Sequence, residues 1–243
     1  MKKLTKFGIL SAVVLLLSGC FAIQRGDEFE HIAPGAWRGL FVFGTDSLAE
    51  KVPVNFIVNN SKDSKGFSIE FINGKSILKA DSLKTIGDTL YAWFDNKKKY
   101  LRLLCEPNII EGYWYDSEKK EFPIEFYAQY GQRHRFIDLR LKPKFDINGV
   151  WAMDILDESE EIIPAKLTLT VDKNKVYSTL KRATDSTDIF LEGTIQNEKL
   201  LLSSFTGDKI YLLKADLRDS ITLGRGSFRI NDKELACSAK KVK

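Results

Sequence analysis

The chain has 243 residues, 44% of them apolar, with 37 Lys+Arg against 33 Asp+Glu. That is ample material for one large domain or two small ones. Lys2, Lys3 and Lys6 precede the first apolar run; without that segment the balance is 34 against 33, and the apparent basicity disappears. Runs such as Lys97-Lys98-Lys99 and Lys240-Lys241 read as solvated turns and ends. No nucleic-acid partner is expected, because such a face needs clustered basic surface.

In chain order, the three lysines lead into an apolar run from Phe7 to Leu17 that ends in Leu17-Ser18-Gly19-Cys20. A basic start, a short apolar core and small residues before a cleavage point make a secretory signal. The run is shorter than the roughly 20 residues that span a bilayer, and no later stretch approaches that length. The Leu-Ser-Gly-Cys ending resembles the lipobox of bacterial lipoproteins. That resemblance implies cleavage before Cys20, acylation of Cys20 with a diacylglyceryl group and usually an N-acyl chain, and a palmitate-type anchor in the cell envelope. Two or more acyl chains hold a protein stably at a membrane. Phe21 follows the cysteine; the absence of Asp there leans toward the outer membrane, with the periplasmic or surface leaflet left open. The expected organisation is a signal peptide over 1–19, an acylated tether over 20–33, and β units over 34–141 and 142–243.

The body reads as two copies of one all-β pattern. Gly35-Ala36-Trp37-Arg38-Gly39 opens the first copy and Gly149-Val150-Trp151 the second. Val54, Phe56 and Val58 alternate along the next strand, as do Leu167, Leu169 and Val171. Alternation with a period of two marks a half-buried strand. Later segments match in the same order. Asp88–Phe94 pairs with Glu198–Phe205, Lys99-Tyr100-Leu101 with Ile210-Tyr211-Leu212, Ile110–Trp114 with Thr222–Phe228, and Ile124–Ala128 with Leu235–Ala239. Asn73-Gly74 signals a hairpin. Lys142-Pro143-Lys144 marks the junction. No window carries a helical stripe, so the fold class is two tandem antiparallel meanders, as sheets or barrels.

A Gly-X-Trp opening a meander resembles the lipocalin and fatty-acid-binding superfamily, where the Trp closes the barrel floor; Trp37 and Trp151 are therefore expected to be structural plugs. Residues 35–240 are also similar to the N-terminal β region of thioredoxin-like thiol–disulfide oxidoreductase lipoproteins. The likeness lies in Gly35–Gly39, Ile72-Asn73-Gly74, Glu111-Gly112-Tyr113-Trp114, Ile124–Ala128 and Gly149-Val150-Trp151. The chain has no Cys-X-X-Cys, so disulfide-reductase activity is not carried over.

Other candidate chemistry is sparse. Cys105 and Cys237 form either a disulfide between the copies, in keeping with an oxidising compartment, or two buried thiols, since the repeat match sets Cys237 opposite Phe126 on a core face. The two histidines, His31 in the tether and His134 in the charged loop Arg133-His134-Arg135, lack partners at metal-ligand spacing. Asp157-Glu158-Ser159-Glu160-Glu161 reads as a solvated hairpin tip without the ordering of a calcium loop. Tyr113-Trp114-Tyr115 must point to alternate faces, leaving aromatic surface exposed unless a neighbour covers it. No cofactor, metal or catalytic residue is expected. The functional expectation is a lipid-anchored, non-catalytic binding or scaffold module of the envelope. The alternatives are a binder of a small apolar ligand in a barrel pocket and an accessory subunit of a thioredoxin-like envelope protein.

Overall fold

Apolar residues at every second position decide which face of each strand turns inward. The computed structural model describes residues 32–45, 47–60, 66–95, 97–118, 123–136 and 144–242, and no helix occurs among them. The first unit holds β1 (Gly35–Phe43), β2 (Glu50–Asn60), β3 (Phe67–Asn73), β4 (Ser76–Lys79), β5 (Ser82–Ile86), β6 (Thr89–Phe94), β7 (Lys99–Cys105), β8 (Ile109–Asp116) and β9 (Ile124–Tyr130). They form a nine-stranded antiparallel sheet in the order β4-β3-β2-β1-β9-β8-β7-β6-β5. The second unit holds β10 (Gly149–Leu156), β11 (Ile162–Asp172), β12 (Lys175–Arg182), β13 (Ile189–Gln196), β14 (Lys199–Phe205), β15 (Ile210–Leu217), β16 (Thr222–Ile230) and β17 (Lys233–Lys241). These close into an eight-stranded up-and-down barrel.

The strand pairings make the two units counterparts. Trp37 lies between Phe56 and Tyr130, and Trp151 between Leu167 and Lys241. Following the registers round each sheet matches Phe41 with Ile155, Phe126 with Cys237, Gly112 with Gly226 and Leu90 with Leu200. Gly35 and Gly149 share a backbone φ of 126° and 129°, a region that L side chains rarely adopt. At Gly112 and Gly226 an added Cβ would fall 2.0 and 2.4 Å from a neighbouring strand's carbonyl oxygen, which accounts for the glycine in each copy. One expected match is off by a residue. Tyr100 corresponds to Leu212 rather than Tyr211, so Tyr100 points outward whereas Tyr211 lies in the barrel core. The apolar run Ile210–Leu213 faces a core on both sides, and such a strand gives alternation nothing to register against.

The units differ where the first fails to close. β13 pairs with β12 through Ile189–Gly193 and with β14 through Glu192–Gln196, overlapping at two residues. Counted from the β3 side, Glu192 corresponds to Asp81; counted from the β6 side, it corresponds to Ser82. One extra residue therefore splits the equivalent strand into β4 and β5. Ala80 N–H still bonds to Ile69 O at 3.4 Å while Asp81 N–H turns to Trp93 O at 2.8 Å.

The barrel wall completes the first core. Leu200, Leu202, Leu213 and Ala215 point into the barrel, whereas Phe205, Ile210 and Leu212 point out and belong to the first unit's core. The Phe205 ring lies 4.9 Å from Phe41, 4.8 Å from Phe71 and 5.2 Å from Phe94. Around it the backbone is tied. The Asn73 amide donates to Phe205 O at 2.8 Å and accepts from Phe205 N–H at 3.2 Å, as a neighbouring strand would. Trp114 Nε1 donates to Gly207 O at 3.2 Å, and the Ser203 hydroxyl donates to Pro53 O. On the flank, Glu50 pairs with Lys214 and Arg229.

Removing a fully buried phenylalanine costs about 3–5 kcal/mol. Phe205→Ala is expected to destabilise the whole chain by that order in urea titration, although the residue sits on the outer wall of a closed barrel. A loss below about 0.5 kcal/mol, the range of ordinary surface substitutions, would contradict the shared core.

Candidate functional site

Cys20, the residue expected to carry the anchor, lies outside the described residues, as do His31 and the junction around Pro143. The described site residues fall into floor plugs, thiols, a charged cleft and an exposed aromatic wall.

Trp37 and Trp151 are fully buried, and each indole N–H donates to the carbonyl four residues earlier, Ala33 at 2.9 Å and Ile147 at 3.0 Å. The bond satisfies the ring's only donor and folds the incoming chain under the strand ends. The two tryptophans are thus equivalent floor plugs. The barrel above Trp151 is filled: Met153, Ile155, Leu180, Leu191, Leu202 and Phe228 expose 2% or less. Such packing leaves no space of the roughly 300 Å³ that a ligand pocket needs.

Cys105 and Cys237 are both free and buried, in different cores. Of the two alternatives left open by the sequence, the thiol pair holds and the disulfide does not form. The physical reason is the repeat geometry: Cys237 takes the inward place of Phe126 in the second barrel, while Cys105 closes the end of β7 in the first sheet. Burial pushes both thiols up from 9.0 to about 12, the opposite of what a nucleophilic cysteine requires.

The loop Arg133-His134-Arg135 is not wholly solvated. Arg135 is buried across the junction of the units. Its guanidinium donates to Ser203 O at 3.1 Å, to the Ser203 hydroxyl at 3.3 Å and to Ile72 O, and lies 4.0 Å from the Glu192 carboxylate. Its own carbonyl accepts from Arg38 Nε at 2.8 Å. Burial lowers its pKa to about 10, opposed by the charge of Glu192. Glu192 also accepts from Gly74 N–H at 3.2 Å and pairs with Lys175 at 3.5 Å. A cleft of about 580 Å³ opens beside them, with His134 on its wall. Arg135 and Glu192 are committed to holding the two units together. The alternation rules that found the strands carry no signal for such a residue; only its place between two repeats hints at it.

Asp157 caps its own turn, accepting from Ser159 N–H and Glu161 N–H at 2.8 Å each. Among the described residues no group of three or more His, Cys, Asp or Glu side chains is placed to hold a metal ion.

The aromatic strand resolves as its spacing requires. Trp114 points into the first core, and Tyr113 and Tyr115 point out. Register places Trp93, Tyr100 and Tyr115 side by side on the outer face, with Tyr91, Arg102 and Tyr113 in the next row. Tyr100 and Tyr115 stack at 4.8 Å and 8°, and Tyr91 and Trp93 at 5.5 Å and 15°. The second unit leaves this wall uncovered: Tyr113 remains 46% and Leu104 54% exposed.

No family model matches the chain, and no curated protein matches it. Among solved structures it is similar to a protein of unknown function from the DUF3598 family of Nostoc punctiforme, at 14% identity and a TM-score of 0.29, over 86% of this chain and 96% of that one.

Two outcomes follow. Trp37→Ala and Trp151→Ala are each expected to cost about 3–5 kcal/mol and to lower the melting temperature; unchanged melting would contradict the plug assignment. A maleimide reagent at pH 8 should leave Cys105 and Cys237 of the folded protein unmodified and label both in denaturant without reductant. Because both thiols are raised from 9.0 to about 12, the folded state holds protons that the unfolded chain releases. Their contribution is complete below pH 9 and lost as pH rises toward 12; stability that climbs over that window would contradict their burial.

Proposed function

We propose that this protein is a lipid-anchored, non-catalytic module of the bacterial envelope that acts through its outer surfaces. The observation that carries the reading is the filled interior beside the acylation sequence. Both tryptophan floors are plugged and the barrel interior is occupied by its own side chains, so the body has the build of a rigid support rather than a container. The leader Lys2–Leu17 and the sequence Leu17-Ser18-Gly19-Cys20 supply the means of attachment. Phe21 in place of Asp favours the outer membrane as destination.

The experiment is expression in a Gram-negative host with a labelled palmitate analogue, followed by mass spectrometry of the N-terminal peptide. The expected product begins at Cys20, carries diacylglyceryl and N-acyl groups, and loses the label in Cys20→Ala. A bare Cys20 behind an intact leader would overturn the reading.

A further inference from the structure

The exposed wall built by β6, β7 and β8 has no role in holding the two units together, and its composition is unusual for a surface. Tyr91, Trp93, Tyr100, Tyr113 and Tyr115 occupy adjacent outward positions, with Arg102 among them and Lys84 opposite Tyr91 on β5. Leu104 and Ile86 extend the apolar surface along the strands, at 54% and 55% exposure. Glu111 and Glu125 stand at the margin, across from Leu104 and Tyr113.

We propose that this wall rests on the surface of the bilayer that the anchor occupies, with its rings at the level of the lipid headgroups. The proposal depends on the lipid attachment argued above. Three observations favour a lipid surface over other occupants. First, the rings are amphipathic. Tyr and Trp present an apolar body and a polar tip, the combination enriched at membrane–water interfaces, and Arg102 and Lys84 can reach phosphates while their stems stay against the rings. Second, the flat faces are spent on one another, Tyr100 on Tyr115 and Tyr91 on Trp93. Each ring thus has one face covered by its neighbour, which leaves fewer open faces on which a sugar ring could stack.

Third, chain length keeps the wall at the membrane. Eleven residues separate Cys20 from Ile32, and a chain spans at most about 3.3–3.6 Å per residue step, so the first unit stays within about 40 Å of its anchor. The chain enters that unit beside the β7–β8 turn, where Ala33 N–H bonds to Pro107 O at 3.1 Å. The row of Trp93, Tyr100 and Tyr115 lies five residues along β7 from Cys105, or about 17 Å at the usual strand rise. Tethering makes the second contact intramolecular, so a patch too weak to bind free vesicles suffices.

The fluorescence of Trp93 tests this. Trp37, Trp114 and Trp151 are buried, so Trp93 is the indole that lipid can touch. The purified full-length mature lipoprotein is reconstituted into phosphatidylethanolamine/phosphatidylglycerol vesicles whose acyl chains are brominated near the headgroup. Emission should fall relative to plain vesicles, and Trp93→Phe, a substitution the partly buried site tolerates, should abolish the fall. Equal emission in both vesicles overturns the proposal, as does quenching that survives in Trp93→Phe. Protection of Trp93 from acrylamide that grows with protein-to-lipid ratio in plain vesicles would instead assign the wall to a second copy, and also overturns it. Flotation reports the anchor separately: protein that fails to float refutes the attachment and this proposal together, whereas protein that floats unquenched refutes the wall alone.

Discussion

The body of this protein depends on one substitution of roles: the outer wall of a closed barrel serves as the missing side of an open one. Phe205, Ile210 and Leu212 point away from their own barrel and into the first unit's core. Without them the ring cluster of Phe41, Phe71 and Phe94 would face water. Apolar area contributes roughly 25 cal/mol per Å² when buried, and a phenylalanine buries on the order of 150–250 Å². Polar side chains around this contact tie the two units together. Asn73 imitates a strand for Phe205, Arg135 reaches the carbonyls of Ile72 and Ser203, and Glu192 collects Gly74 N–H, Lys175 and Arg135. A buried cation is costly unless its donors are engaged; the two terminal nitrogens of Arg135 are bonded in this way, while its Nε has no partner.

The opening itself has a simple covalent origin. A strand that serves two neighbours in the second unit gains one residue in the first and breaks into β4 and β5 at Ala80 and Asp81. A duplicated meander can thus diverge from barrel to open sheet through a single-residue change in spacing, provided its sister supplies a wall. That requirement makes the repeat pair a unit rather than two beads on a string.

Much of this was legible in the residues. Alternation in Val54–Val58 and Leu167–Val171 placed strands and their inner faces, and the ordered matches from Gly-X-Trp to the Ala-ending strand placed the repeats. The floor tryptophans followed from the same match. The shared core was not legible, because Ile210-Tyr211-Leu212-Leu213 is apolar on both faces and a two-residue period cannot say which side belongs to which core. Nor was Arg135, whose flanking charges resemble a solvated loop; its burial is decided by carbonyls distant in sequence. Cys237 was readable to the level of its face, and only the three-dimensional pairing separated free thiols from a bridge. The exposed tyrosines were visible as a conflict within one strand, since Tyr113, Trp114 and Tyr115 cannot share a face.

A body with a filled interior and a closed floor offers its exterior for use, and the proposed lipid anchor sets which exterior meets the membrane. All of this rests on the barrel wall completing the first unit's core. The direct test is calorimetry of the full chain. A single transition, with calorimetric and van't Hoff enthalpies equal, is the expected result. Two separate transitions, with the first unit melting while the barrel stays folded, would contradict the account.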